Sequence, residues 1–496
     1  MKIEETSTYG QIAKSTGLFA GTQAINILAG LVRTKVLALL LGTIGVGLAG
    51  LYQSIVDMVK AIASMGLSFS AVKDIANASA SGDRHEVAVT SLITRRLVWW
   101  TGLLGMVAMV ALSKPISLYV FKNDNHTLAI SLLSFSVLFG LLSSGQTALL
   151  QGTRQLASMA KASVFGSLTG LLVAVLLYLL LGINGIVPAL VGMALASLSF
   201  TWWFTSRIKQ EAVRLSFKAT LKQGSAMIRL GFFNMLSGLA GTVVLLLMKA
   251  FVGAAGDLEA VGLYQAVWSL SAMYLGAILS AMSTDYYPRL CGYEGDDRQM
   301  IQFANQQIRF VLLVVTPIVV AVLCLTPLVL TLLYSSSFLA AVDLMHWQIT
   351  GTFFKVLIWP VSFFLLAKGK GLQFLITEVS WYAVYYLATV LLWPYMGLEG
   401  AGLAFLIAYL LYVPLVFLMV RPLVPLTVTP ANIRLMCYFT FVVVSAFLTV
   451  HYLDGWMEWV LASLLWLSVT VVALYRLNQL LPLKELWQKI RSWINR

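Results

Sequence analysis

Apolar stretches of about twenty residues, separated by short polar breaks, recur along this chain from one end to the other. A helix of ~18 or more apolar residues is long enough to cross the ~30 Å hydrocarbon layer of a bilayer. In lipid every peptide group must find its hydrogen bond inside the protein, which leaves helices as the natural spanning element for such runs. The pattern predicts an all-α polytopic membrane protein with about fourteen spans. They fall near 12–41, 48–72, 94–113, 126–150, 160–181, 184–205, 228–252, 260–284, 306–332, 344–367, 371–394, 398–420, 434–451 and 456–475. No connection between them is long enough to fold into a catalytic domain. The first ten residues carry Glu4 and Glu5 and lack a basic segment with a cleavage site, so the first span is expected to be retained.

Composition strengthens this reading. Of 496 residues, 59% are hydrophobic and 11% charged, against ~45–50% and ~25% in soluble domains. The net charge of +13 does not point to nucleic acid once its distribution is seen. With the N-terminus inside, 26 of the 33 lysines and arginines fall on inner segments and two, Lys114 and Lys122, on outer ones. Cytoplasmic loops carry such an excess, so an even number of crossings with both termini cytoplasmic is expected. Outer segments carry Asp124, Asp257, Glu259, Glu399, Asp454 and Glu458, and tryptophans such as Trp99, Trp202, Trp393 and Trp456 stand near helix ends, as in an interfacial belt. The tail from Leu483 to Arg496 places Leu486, Trp487, Ile490 and Trp493 on one helical face, the pattern of an amphipathic helix on the inner surface.

The chain also repeats itself. Gly50-Leu51-Tyr52-Gln53 recurs as Gly262-Leu263-Tyr264-Gln265, and the hairpin Gly182 to Gly185 recurs as Gly397 to Gly400. The offsets, about 212 and 215 residues, agree with each other and with a half of six helices. Six is even, so the halves form a parallel repeat about an axis along the membrane normal. The expected organisation is an N-terminal six-helix lobe at 1–210, a C-terminal six-helix lobe at 211–425, and two additional helices with the tail at 426–496. In such transporters the substrate path lies between the halves and rocking gives alternating access. Pro317, Pro327 and Pro360 interrupt late helices and are candidates for bends.

Five basic residues remain within the spans: Arg33, Lys35, Lys60, Lys249 and Lys355. A cation at mid-bilayer costs ~2.5–3.5 kcal/mol on insertion scales and marks a functional site by default. Lys60 has Asp57 three residues earlier on the same helical face, a possible partner. Lys249 lies near the outer end of its span, where it can snorkel. The membrane acids are Asp57, Asp343 and Glu378, candidates for counter-ions or coupling. Several cations around one cavity favour an anionic substrate, since a guanidinium binds phosphate in bidentate fashion and lysines act as point charges. No nucleophile–base pair stands out, so no catalytic residue is assigned. The three cysteines and four histidines are scattered without metal spacing, and no metal or cofactor is expected beyond a coupling ion, H+ or Na+. Tyr52, Gln53, Tyr264, Gln265 and Trp268 are candidates for substrate contacts or for helix packing.

The stretch Gly30-Leu31-Val32-Arg33-Thr34-Lys35-Val36 through Gly42, and the turn into Gly50-Leu51-Tyr52-Gln53, resemble the opening of polysaccharide flippases. Trp347-Gln348-Ile349-Thr350-Gly351 with Lys355, then Ala367-Lys368 and Thr377-Glu378-Val379-Ser380, are similar to spans ten and eleven of Wzx-type translocases of O-antigen and enterobacterial common antigen. Tyr287-Pro288-Arg289-Leu290 is also similar to that group. The likeness covers most of the first twelve spans. It implies the MATE-like MOP superfamily, which includes multidrug extruders and the lipid II flippase, with two lobes around a cationic cavity. The implied substrate is an undecaprenyl-pyrophosphate-linked oligosaccharide, moved from the cytoplasmic to the periplasmic leaflet of the bacterial inner membrane. Arg33 matches, by its distance to Gly42, the first-helix arginine associated with pyrophosphate in the lipid II flippase. The two extra helices are shared with that flippase and not with many Wzx-type members. The expected partners are the lipid-linked oligosaccharide, membrane lipids and other envelope glycan assembly proteins, with no nucleic acid. The competing readings are a lipid II-type flippase, a cation-coupled multidrug extruder and, from another class, a membrane enzyme of glycan polymerisation. Such an enzyme would need a sizeable outer loop.

Overall fold

In the computed structural model the described residues are 2–480, except 82, 209, 210, 212, 214 and 294. The amphipathic tail expected at 483–496 lies outside them. Every regular element among the described residues is helical. Fifteen helices are numbered here in chain order: α1 Lys2–Ser64, α2 Leu67–Ala80, α3 Arg84–Ala111, α4 Ser113–Phe121, α5 Thr127–Gly152, α6 Leu156–Leu181, α7 Ile186–Ser206, α8 Phe217–Ala255, α9 Leu258–Gly292, α10 Asp297–Cys324, α11 Thr326–Leu333, α12 Val342–Ala367, α13 Gly371–Val420, α14 Pro430–Tyr452 and α15 Trp456–Leu480.

Nine described helical segments are long and apolar enough to cross a membrane, or ten if α3 and α4, bent by 60° at their junction, count as one span. Three of the nine, Gly21–Ser64, Leu156–Ser206 and Gly371–Val420, run to 44, 51 and 50 residues. That is about twice a ~20-residue crossing, and each carries a glycine in a backbone conformation foreign to a helix. These are Gly42 (φ 63°, ψ −161°), Gly182 (φ 56°, ψ −132°) and Gly397 (φ 53°, ψ −130°). Positive φ at a non-glycine residue is sterically costly, so these glycines set where one span ends and the next begins. The hairpins repeat in detail. A Cβ on Gly185 would meet the carbonyl of Leu177, and one on Gly400 the carbonyl of Leu392; glycine and leucine alike are 215 residues from their counterparts.

Two of the three prolines leave their helices uninterrupted. Pro317 and Pro360 sit inside continuous helices. The interruption falls instead at Leu325, with Pro327 in the first turn of α11, where a missing N–H is harmless.

The chain packs as two units. The first comprises Met1–Gln265 with Leu333–Ser335, the second Ala266–Leu332 with Ser336–Arg496. In the first, α8 packs on α1, α2, α3 and α4, although the sequence repeat begins the second lobe at 211. The packing boundary and the repeat boundary therefore fall at different places. Arg96 secures the start of α8, its Nη1 donating to Leu215 O at 2.7 Å and Thr220 Oγ1 at 2.9 Å. The two copies of the tetrapeptide motif also meet inside this unit. A Cβ on Gly262 would fall on the carbonyl oxygen of Thr43 and lie 3.2 Å from Gly47 N, and Gly50 abuts the Gln265 side chain.

In the second unit, α12 packs on α13, while α10 carries α14 and α15. An asparagine pair locks this last contact. Asn305 Nδ2 donates to Thr427 O (2.8 Å), its Oδ1 accepts from Thr429 N (2.9 Å) and from Asn432 Nδ2 (3.0 Å), and Asn432 Nδ2 also donates to Asn305 O (2.8 Å). Both side chains are buried. Replacing Asn305 with leucine leaves several of these groups unpaired, each costing about 1–3 kcal/mol. We expect Asn305→Leu to lower the thermal stability of the purified protein and raise proteolysis of 421–429, while Asn305→Asp, which keeps the acceptor, loses less.

Candidate functional site

One face of α12 carries Gln348, Thr352, Lys355, Trp359 and Ser362, a series at i, i+4, i+7, i+11 and i+14 that stacks on one side of a helix. All five line one cavity of the second unit. The first limb of α13 adds Glu378, Trp381 and Tyr382 at i, i+3 and i+4, and its second limb adds Phe405, Tyr409 and Tyr412 at i, i+4 and i+7. Ile358 of α12 and Trp268, Ser271 and Ala272 from α9 complete the lining. The result is an aromatic box around one lysine and one carboxylate. Lys355 is half-buried and interacts electrostatically with Glu378. The carboxylate accepts a hydrogen bond from Tyr412 Oη at 2.6 Å. Both side-chain polar atoms of Gln348, Ser271 Oγ and Trp381 Nε1 are buried with no hydrogen-bond partner in the protein. Each such group costs ~1–3 kcal/mol unless something satisfies it, so the wall of this cavity is prepared for a polar guest.

The first unit has a corresponding cleft lined by Lys60, Ser68, Gly140, Ser143, Ser144, Thr147, Gln151, Ala194 and Ser197. Lys60, Gly140, Ser143 and Thr147 stand 212 residues before Ala272, Thr352, Lys355 and Trp359, and Ala194 and Ser197 stand 215 before Tyr409 and Tyr412. The repeat thus builds the same cleft twice and furnishes it differently. One copy is aromatic with a lysine on α12. The other is rich in hydroxyls, with a lysine entering from α1. Lys60 occupies the space beside Gly140, where a Cβ would lie 2.7 Å from its Nζ. In place of Lys355 stands Ser143, hydrogen-bonded to Ser197 at 2.9 Å.

Arg33 lines a neighbouring groove with Asn26, Gly30, Ser163, Gly170, Met193 and Ser197. Ser197 belongs to both. The guanidinium contacts Met193 Sδ at 3.1 Å, a weak acceptor that leaves most of its donors unspent. Lys35 is half-buried on the same helix and lines neither of these clefts.

The remaining charges do other work. Lys249 does not snorkel: only 3% exposed, it donates to Gly50 O at 3.1 Å and Ser54 Oγ at 2.6 Å, tying α8 to α1. Asp57 is its electrostatic partner and accepts from Gln53 Nε2 at 2.8 Å. The pairing of Asp57 with Lys60 suggested by their spacing is not among the ion pairs of the described residues. Lys249→Met is therefore expected to change stability and leave the half-saturating substrate concentration within about two-fold, as measured by thermal unfolding beside transport. Asp343 is exposed, 3.6 Å from His451, and outside the lining of the Lys355 cavity. Among the aromatic candidates, Trp268 lines that cavity. Tyr52 instead bonds His126 Nδ1 at 2.8 Å, and Tyr264 is fully buried.

Residues 36–343, more than half of the chain, match the model of a family described as polysaccharide biosynthesis protein. The chain is 27% identical over 422 residues to the lipid III flippase of Escherichia coli (strain K12), covering 83% of this chain and 99% of that protein, and equally to the lipid III flippase of Shigella flexneri. Among solved structures, an inward-facing multidrug resistance MATE family transporter of the MOP superfamily superposes with a TM-score of 0.64 at 17% identity, covering 81% of this chain and 94% of that one. The lipid II flippase MurJ in an inward closed conformation gives 0.56 at 15%, covering 87% and 97%. At these identities the structures speak for the fold, which is that of the MOP transporters. The family match goes further: this polytopic membrane protein belongs to the polysaccharide biosynthesis protein family.

Proposed function

We propose that the protein is a flippase that moves an undecaprenyl-pyrophosphate-linked oligosaccharide from the cytoplasmic to the periplasmic leaflet of the bacterial inner membrane by alternating access. The observation that carries this reading is the match to lipid III flippases over nearly their whole length. The cationic clefts fit an anionic lipid head. Each unit offers its own contact, Lys60 with Arg33 in the first and Lys355 in the second. Tryptophan and tyrosine faces in the Lys355 cavity suit the C–H faces of sugar rings, and Gln348, Ser271 and Trp381 supply polar atoms for hydroxyls. The repeats 1–210 and 211–425 are the proposed lobes and 426–496 an appendage. Both termini are placed in the cytoplasm, with an H+ or Na+ gradient as the drive and other envelope glycan assembly proteins as companions. Glu378, held by Tyr412, is the proposed coupling carboxylate.

One observation favours a second reading, multidrug extrusion: aromatic faces around Glu378 would also hold an organic cation. Reconstituted protein separates the two. Flipping of a fluorescent undecaprenyl-pyrophosphate oligosaccharide, without gradient-driven ethidium transport, supports the flippase. Ethidium transport without flipping overturns it.

A further inference from the structure

At the end of the second unit that the charge asymmetry assigns to the outside, three side chains from distant parts of the sequence converge. Asp343 and His346 stand one turn apart at the start of α12, and His451 lies in the last turn of α14. One ligand atom from each lies within 4.8 Å of the others. His346 is 2% exposed, yet neither of its ring nitrogens has a hydrogen-bond partner, and His451 Nδ1 has none either. A buried imidazole with both nitrogens idle is costly, and nothing in the Lys355 cavity uses it.

We propose that Asp343, His346 and His451 bind a divalent transition-metal ion, with Zn2+ the best match, and that this ion fastens the outer end of α14 to α12. The donor set is two imidazoles and one carboxylate, which suits zinc and leaves a fourth position for water. His451 Nδ1 and Asp343 Oδ1 are 3.6 Å apart, close to the ~3.3 Å edge of a tetrahedron with metal–ligand bonds of ~2.0–2.1 Å. The exposed Asp343 and a small turn of His346 close the rest of the distance.

The surroundings are those of a held ligand. The His451 ring stacks on Phe447 with centroids 5.1 Å apart and meets Trp347 edge-on at 5.8 Å. Its other nitrogen, Nε2, lies 4.0 Å from Glu399 Oε1, and Trp347 Nε1 donates to that same oxygen at 2.7 Å. A carboxylate behind the far nitrogen of a metal-bound imidazole fixes its tautomer and raises its basicity. The proposal does not depend on what the protein transports.

The test uses the full-length protein in detergent, stripped with EDTA and titrated with Zn2+, with Mg2+ as control. Calorimetry should give one Zn2+ per chain that Mg2+ does not displace. Co2+ should give the visible absorption of a low-coordinate nitrogen–oxygen site. His451→Ala and His346→Ala should weaken binding by at least ten-fold. Because His346 is buried and its variant can misfold, Asp343→Asn and Glu399→Gln provide the decisive arms. Each should weaken Zn2+ binding by about 10–100-fold with the metal-free melting temperature unchanged. Absence of saturable one-to-one binding in the wild type overturns the proposal. So does Zn2+ affinity that is the same in Asp343→Asn, Glu399→Gln and the wild type.

Discussion

Lys355→Ala is expected to reduce flipping of a lipid-linked oligosaccharide by about 10–100-fold in proteoliposomes while the protein remains folded. A charge-assisted hydrogen bond to a phosphate is worth ~1.5–3 kcal/mol, and 1.4 kcal/mol is ten-fold. Lys355 also shares its cavity with Glu378, and its loss takes the cation away from a carboxylate that accepts from Tyr412. A half-buried charge without its counter-ion is costly, so the single variant mixes two effects. A double variant separates them. The readout is binding of the lipid-linked oligosaccharide without a gradient, because Glu378 is also the proposed coupling carboxylate. If Lys355 only neutralises Glu378, Lys355→Ala with Glu378→Gln restores that binding, and if the ammonium touches the substrate, binding stays weak. Lys60→Ala, in the corresponding cleft of the first unit, is the companion measurement. Equal losses at Lys60 and Lys355 would mean that both copies of the repeat bind the head group, whereas a loss at Lys355 alone would assign recognition to the aromatic copy.

The second large effect is on folding. Gly262→Ala should abolish accumulation of folded protein, because its Cβ would land on the backbone of Thr43 and close on Gly47. These are main-chain atoms of α1 and cannot swing aside as a side chain would. Overpacking of this kind costs ~1–3 kcal/mol even where neighbours adjust, and here two helix backbones would have to separate. The readout is the monodisperse fraction in detergent and its melting temperature. Gly238→Ala is the control, since a Cβ there meets nothing within 4 Å. If Gly262→Ala matched that control, the close approach of α1 and α9 would be no constraint on the fold. Small residues where helices cross are the usual device for tight packing in lipid, which fits the return of the Gly50 motif at Gly262, against the same stretch of α1.

How much of this was legible beforehand differs from residue to residue. The spacing of Gly182 and Gly397 announced the hairpins, because only glycine accepts that backbone conformation cheaply. The offset of 212 joined Gly50 to Gly262, and it also relates Ser143 to Lys355, although nothing in those two residue types suggests equivalence. Lys249, near a span end, reads in sequence as a snorkelling residue, and Lys355 as a cation inside an apolar span. One is a strut between α8 and α1, and the other lines a cavity. Trp381, Tyr382, Phe405, Tyr409 and Tyr412 do not stand out as site residues in the sequence because aromatic residues are common throughout these spans. Their one available signal was the i, i+3, i+4 and i+7 spacing along the two limbs of α13.

The sequence alone determined that the chain is helical and membrane-spanning, since apolar runs of this length have no other low-energy state in a bilayer. The bias of lysine and arginine implied which side each loop occupies, and the five remaining cations marked where to look for function. Only the tertiary structure decided which faces turn inward. Lipid tails are as apolar as leucine, so a membrane helix carries little of the polar-against-apolar contrast that reveals the buried face of a soluble one. Asp343, His346 and His451 show the consequence: the two histidines stand 105 positions apart in the chain, and only the packing of α14 on α12 brings them within reach of one ion.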